Sequence, residues 1–194
     1  MKTPIRILAF GGSLRRDSIN QLLASAVADG ASAEDVEVSV ISLRDYPMPI
    51  FDEDYEKEHG KPQAARDLKK LFAEQQGLII ASPEYNSSVT AALKNAIDWV
   101  SRADDANEAP LAALAGKTAV ICAASPGGYG GLRGLVHLRA ILGNIGITVL
   151  PDQLALGSAF SAFSPEGKLV DEAMNQRAQH LGKTLANHLK KLLA

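Results

Sequence analysis

The sequence is short of several things, and each shortage removes a class of function. It has one cysteine, Cys122, so no intrachain disulfide can form and a reducing compartment fits best. Its 20 Lys and Arg stand against 22 Asp and Glu, a formal net charge of −2. Nothing global therefore attracts a nucleic acid or an anionic membrane. No apolar run approaches the roughly 20 residues of a membrane span. The longest, such as Ala119-Val120-Ile121-Cys122-Ala123-Ala124, have the length of a strand. The start, Met1-Lys2-Thr3-Pro4-Ile5-Arg6, reads as no secretory signal, because the apolar run after it is short and leads into a glycine turn. A cytoplasmic protein is expected. No repeat, low-complexity tract or linker composition divides the chain, and 194 residues suit a single domain over 1–194.

Complete catalytic motifs are also missing. Gly116-Lys117-Thr118 ends like a phosphate-binding Walker loop, but the glycine required five positions earlier is Leu111. Gly11-Gly12-Ser13-Leu14-Arg15 has arginine where a hydrolase nucleophile elbow closes on glycine. Gly128 to Arg133 fails the dinucleotide fingerprint at its last position. A Cys-x5-Arg phosphatase would need arginine at 128, which is Gly128, so Cys122 reads as a buried strand residue. His59, His137, His180 and His188 have no metal-ligand spacing, and no metal is expected. The acidic run from Asp52 to Glu58 lacks the glycine and the closing glutamate of a calcium loop and reads as a solvated loop.

What is present is an alternation of strands and helices. Apolar runs at 5–10, 36–41, 78–81, 118–124 and 147–150 read as strands, the last closed by Pro151. Helical periodicity appears over 19–28, 62–76, 89–101, 132–142 and from 165 to the C-terminus. Residues 44–61 and 152–164 read as irregular. Five strands alternating with five helices predict an α/β fold, with a parallel sheet covered on both faces. Ligands of such a sheet bind beyond the carboxyl ends of the strands, where strand order reverses.

Three loops at those ends are chemically unusual. After the first strand, Gly11-Gly12-Ser13-Leu14-Arg15-Arg16-Asp17-Ser18-Ile19-Asn20 opens directly into a helix. A helix start offers free N–H groups and the positive end of the dipole, so Ser13, Ser18 and Asn20 are expected at an anion, with Arg15 or Arg16 supplying charge. Ser18 can equally be a helix cap. After the third strand comes Ser82-Pro83-Glu84-Tyr85-Asn86-Ser87-Ser88, with a flat aromatic and backbone amides at Glu84, Tyr85 and Asn86 for the polar edge of a ring. After the fourth comes Ser125-Pro126-Gly127-Gly128-Tyr129-Gly130-Gly131, whose glycines let a flat ligand approach the backbone. A phosphate grip beside two close-approach loops suggests a flat mononucleotide.

Gly12-Ser13-Leu14-Arg15, with Ser18 and Asn20 at their spacing, resembles the first loop of the NADPH-dependent FMN reductase family, which includes quinone, chromate and azo reductases. Ser82-Pro83-Glu84-Tyr85-Asn86, followed by Leu93-Lys94-Asn95-Ala96-Ile97-Asp98-Trp99, resembles its second signature, and Ser125-Pro126-Gly127-Gly128 its third. One departure is Val89-Thr90-Ala91, where many members carry proline and glycine. The resemblance implies a flavodoxin-like three-layer sandwich with strand order 2-1-3-4-5. It implies bound FMN held by Ser13, Arg15, Ser18, Ile19, Asn20, Pro83, Glu84, Tyr85, Asn86, Ser125, Gly127 and Gly128. It also implies reduction by NADPH or NADH, small-molecule acceptors served by a ping-pong mechanism, and a homodimer or homotetramer. No protein acid or base is required, so no catalytic residue is assigned. Two rivals are an electron-carrying flavodoxin, although such carriers are usually much more acidic, and a cofactor-free interaction protein.

Overall fold

The computed structural model describes residues 4–194. Its sheet is parallel throughout, in the order β2-β1-β3-β4-β5. The strands are β1 (Arg6–Gly11), β2 (Glu37–Ser42), β3 (Gly77–Ala81), β4 (Thr118–Ala124) and β5 (Thr148–Leu156). The helices are α1 (Ile19–Ser32), α2 (Glu53–His59), α3 (Gln63–Ala73), α4 (Ala91–Ser101), α5 (Leu132–Asn144) and α6 (Glu172–Leu192). This is the flavodoxin-like order that the resemblance implies. Among the described residues no helix is long and apolar enough to cross a membrane.

Side chains alternate across the sheet, which gives two cores. Ile7, Ala9, Ile79, Val120 and Cys122 face α1 and α6; Leu8, Phe10, Ile80 and Ile121 face α3, α4 and α5. β3 and β4 are buried along their whole length, whereas the edge strand β2 is half exposed. That contrast is why the central strands read as continuous apolar runs and β2 as an alternation. Cys122 is fully buried, and burial pushes its thiol far above the usual range, so it is an inert strand residue.

Three expectations are corrected. The acidic run is not a loop: Asp52 accepts from Asp54 N at 2.8 Å and Tyr55 N at 3.2 Å, which caps α2. Acids then fill the first turn and Lys57 and His59 the last, matching the helix dipole. β5 does not stop at Pro151. Leu150-Pro151-Asp152 bulges opposite Val120, and pairing resumes at Gln153. Arg139 stabilises the bulge by donating to the carbonyls of Val149, Leu150 and Pro151 and to Gln153 Oε1. The last helix begins at Glu172, capped by Asp171, because the chain before it makes a turn closed by the Phe163–Leu169 bridge.

Candidate functional site

The carboxyl ends of β1, β3 and β4 bring the three loops together. A cavity there is lined by Ser13, Arg15, Ser18, Ile19, Asn20, Pro83, Glu84, Tyr85 and Ser125, together with Ala124, Pro126 and Phe160. Asn86, Gly127 and Gly128 lie outside this lining and are exposed beside it. The cavity measures about 80 Å³. Drug-sized ligands fill roughly 300–1,000 Å³, so it suits a head group, with the rest of a mononucleotide lying over its rim. A larger cavity of about 620 Å³ lies between β5 and α6. It is away from the three loops, and chemistry rather than size favours the smaller one.

The first loop is built from the strand end outward. Gly12 N–H donates to Ala81 O at 2.8 Å, which fixes the loop onto β3. Gln21 joins β1 to β2, accepting from Gly11 N at 2.9 Å and donating to Ile41 O at 3.0 Å. Ser18 caps α1 by accepting from Gln21 N, as its capping reading predicts, and its hydroxyl hydrogen stays available to a ligand. The first turn of α1 holds no acidic residue, and the nearest acid, Asp17, is exposed just before the cap. Arg15 is exposed at its edge. Asn20 is used differently from expectation. Its amide donates to Ala124 O and accepts from Ala124 N, both at 2.8 Å, which locks loop one to the end of β4.

The second loop is a tight hairpin. Tyr85 and Ser88 exchange backbone hydrogen bonds at 3.0 and 3.1 Å. Asn86 and Ser87 between them both have positive φ, 50° and 67°, the signature of a type I′ turn. The Tyr85 amide is therefore committed, and of the three amides expected at a ring edge only those of Glu84 and Asn86 remain. Thr90, part of the departure from the family pattern, caps α4 through Leu93 N and donates its hydroxyl to Gly12 O at 2.5 Å. A proline at this position could not make that link.

Glu84 contributes its side chain as well as its backbone. Its carboxylate is 8% exposed and accepts from Arg133 Nε at 2.9 Å, Arg133 Nη2 at 2.5 Å and Gly134 N at 3.0 Å. Burial alone would raise this carboxyl, but the bonds from Gly134 and Arg133 outweigh it and hold it below the usual range. Two helix starts border the site. That of α5 is filled by Glu84, and that of α1 is left for a ligand.

The glycines of the third loop divide by purpose. A Cβ on Gly128 would meet nothing within 4 Å, and on Gly127 only Ser125 Oγ at 3.8 Å. Gly130 differs. Its φ is 59°, and a Cβ there would lie 2.7 Å from Leu156 N and from the carbonyl carbons of Ala155 and Leu156. Gly127 and Gly128 thus face space that a flat ligand could use, whereas Gly130 serves the fold.

The signature after the second loop holds another part of the chain. Asn95 accepts from Phe51 N at 2.7 Å and donates to Pro49 O at 2.9 Å, and Trp99 Nε1 donates to the same carbonyl at 2.9 Å. Trp99 is fully buried, and Lys94 pairs with Asp98 on its own helix. These residues therefore pin the 49–51 segment. Reading the sequence missed Phe160, exposed on the wall of the cavity, because it sits in a segment taken as irregular. Among the described residues no cluster of three or more His, Cys, Asp or Glu could hold a metal.

A profile of the family described as NADPH-dependent FMN reductase matches residues 5–161. The chain belongs to that family. The family consists of oxidoreductase enzymes, and curated relatives agree with the assignment. A quinone reductase of Escherichia coli is 38% identical over 143 residues, 73% of this chain and 71% of that protein. An NAD(P)H-dependent FMN reductase of Pseudomonas aeruginosa is 32% identical over 197 residues, 99% of each chain. The flavoenzyme NAD(P)H:(acceptor) oxidoreductase FerB of Paracoccus denitrificans superposes with a TM-score of 0.78 at 24% identity, covering 96% of this chain and 98% of that one. For this family the residues present suit a flavin mononucleotide: a helix start with no acid in its first turn and hydroxyls for a phosphate, and open space over two glycines for a ring.

Proposed function

We propose that the chain binds FMN with its phosphate at the start of α1 and its ring between Tyr85 and the glycine loop. Electrons pass through that flavin from NADPH or NADH to small-molecule acceptors in the cytoplasm: quinones, azo compounds, chromate or free flavin. The observation that carries this reading is the α1 start, with no acid in its first turn and bordered by Ser13, Arg15 and Ser18, beside the open face of Gly127 and Gly128.

Bound flavin supplies the hydride and electron chemistry, and the protein supplies binding and orientation. Ser13 and Ser18 donate hydroxyls to the phosphate, the Ile19 and Asn20 amides add backbone donors, and Arg15 adds charge. The free amides of Glu84 and Asn86 meet the polar edge of the ring, and Tyr85 bounds one side of it. Glu84 is the only carboxylate in the lining, which has no imidazole, and its oxygens are already occupied. No protein acid or base is assigned to the reaction. Nicotinamide and acceptor would meet the flavin in turn, a ping-pong order.

The purified protein is expected to be yellow, to bleach anaerobically on NADPH or NADH, and to turn over with a panel of acceptors. Bleaching without turnover would make it a carrier of the flavodoxin kind; failure to bind FMN would overturn the reading. Exposed Tyr129, Leu132 and Val136, the last two one helical turn apart on α5, support self-association as a dimer or tetramer. A monomer in sedimentation at micromolar concentration would refute that part.

A further inference from the structure

We propose that Glu84 and Arg133 are positioning residues for the flavin: their ion pair latches the Ser82–Ser88 loop to the glycine loop and the first turn of α5, and so sets the width of the slot that receives the ring. The assignment rests on the FMN reading above.

Each end of the pair holds an aromatic wall. Glu84 directly precedes Tyr85, and the Arg133 guanidinium lies 5.6 Å from the centroid of Tyr129. Both tyrosines are exposed, so neither is held by burial in the core. The carboxylate is fixed by three donors, and its Cβ lies where neither Gly131 nor Gly134 carries a side chain. A Cβ on those glycines would stand 3.7 and 3.4 Å from Glu84 Cβ. Glu84 thus sits in van der Waals contact with the start of α5. Arg133 is 60% exposed, so the strength of the latch comes from the buried carboxylate and the Gly134 amide more than from the guanidinium. The pair also balances charge beside the ring. Removing the anion alone leaves a cation, and removing the cation alone leaves an anion.

The test uses the full chain and four variants, Glu84→Gln, Glu84→Ala, Arg133→Lys and Arg133→Met. FMN affinity is read by quenching of flavin fluorescence, ring geometry by visible circular dichroism of bound FMN, and the flavin midpoint by anaerobic titration. Glu84→Ala is expected to weaken FMN at least tenfold and to change the visible dichroism, with Glu84→Gln and Arg133→Lys retaining most of the affinity. The midpoint should rise in Glu84→Gln and fall in Arg133→Met, because a cation beside the ring favours the electron-rich reduced form. Far-ultraviolet dichroism reports folding, and the two conservative variants carry the test should either truncation unfold. Wild-type affinity and dichroism in folded Glu84→Ala, or a midpoint that fails to rise in Glu84→Gln, would overturn the latch. A wild-type protein that does not quench FMN at all would instead overturn the flavin reading.

Discussion

Valine at Gly128 and alanine at Gly130 should separate what the glycine loop does for a ligand from what it does for the fold. The positions are two residues apart, yet their surroundings are opposite. A side chain on Gly128 enters open space, and its φ is not positive. The Gly128→Val chain should therefore keep its stability within about 0.5 kcal/mol. At Gly130 the φ of 59° costs an L-residue roughly 1–2 kcal/mol. A Cβ 2.7 Å from three backbone atoms of β5 forces a shift worth about 1–3 kcal/mol more. The total, about 2–5 kcal/mol, corresponds to a fall in Tm of about 4–20 °C for a chain of this size. Thermal unfolding by circular dichroism checks this without cofactor, and a fluorescence titration measures FMN affinity. Gly128→Val should lose FMN affinity at least tenfold, about 1.4 kcal/mol, with Tm unchanged; Gly130→Ala should lose Tm first. Wild-type FMN affinity in Gly128→Val would show that the open space is not the cofactor's.

Arg15→Ala removes a charge-assisted phosphate contact worth roughly 1.5–3 kcal/mol, with the lower end apt for an exposed arginine. FMN should bind about tenfold more weakly while riboflavin, which has no phosphate, is unaffected; equal losses for both ligands would remove Arg15 from the phosphate. Asn20→Ala strands the Ala124 N–H and carbonyl together, so urea unfolding should show a loss of about 2–4 kcal/mol. Lys117 is buried beside Gln75 O, and burial holds its ammonium at about 8 against 10.5 in the unfolded chain. Between those values the unfolded chain binds more protons, so stability rises with pH there, and the full penalty of about 3 kcal/mol applies below pH 8. Lys117→Met should be the more stable protein at pH 7, with its advantage shrinking from pH 8 to 10.5; a constant difference would refute the shift.

The alternation of strands and helices and both layers of helices were legible in the sequence because they follow from periodicity and from runs of β-branched and aliphatic residues, whereas the strand order came only from the family resemblance. Less legible were features set by a partner far along the chain. Nothing near Glu84 shows that Arg133, 49 residues away, occupies its carboxylate. Nothing near Asn20 shows that Ala124 claims its amide. The extension of β5 past a proline depends on Arg139 reaching its carbonyls from the preceding helix. That Asn95 and Trp99 hold the 49–51 segment was not legible because that segment carries no periodic signal of its own.

Three side-chain links noted above close a circuit: Asn20 to the end of β4, Thr90 to Gly12 in loop one, and Glu84 to the start of α5. Loops joined in this way open as one unit of local unfolding rather than singly. The amides of Ala124 and Gly134, each bonded to a side chain of a different loop, serve as natural reporters. In native-state hydrogen exchange they should share one opening free energy, and breaking any single link should speed exchange at both.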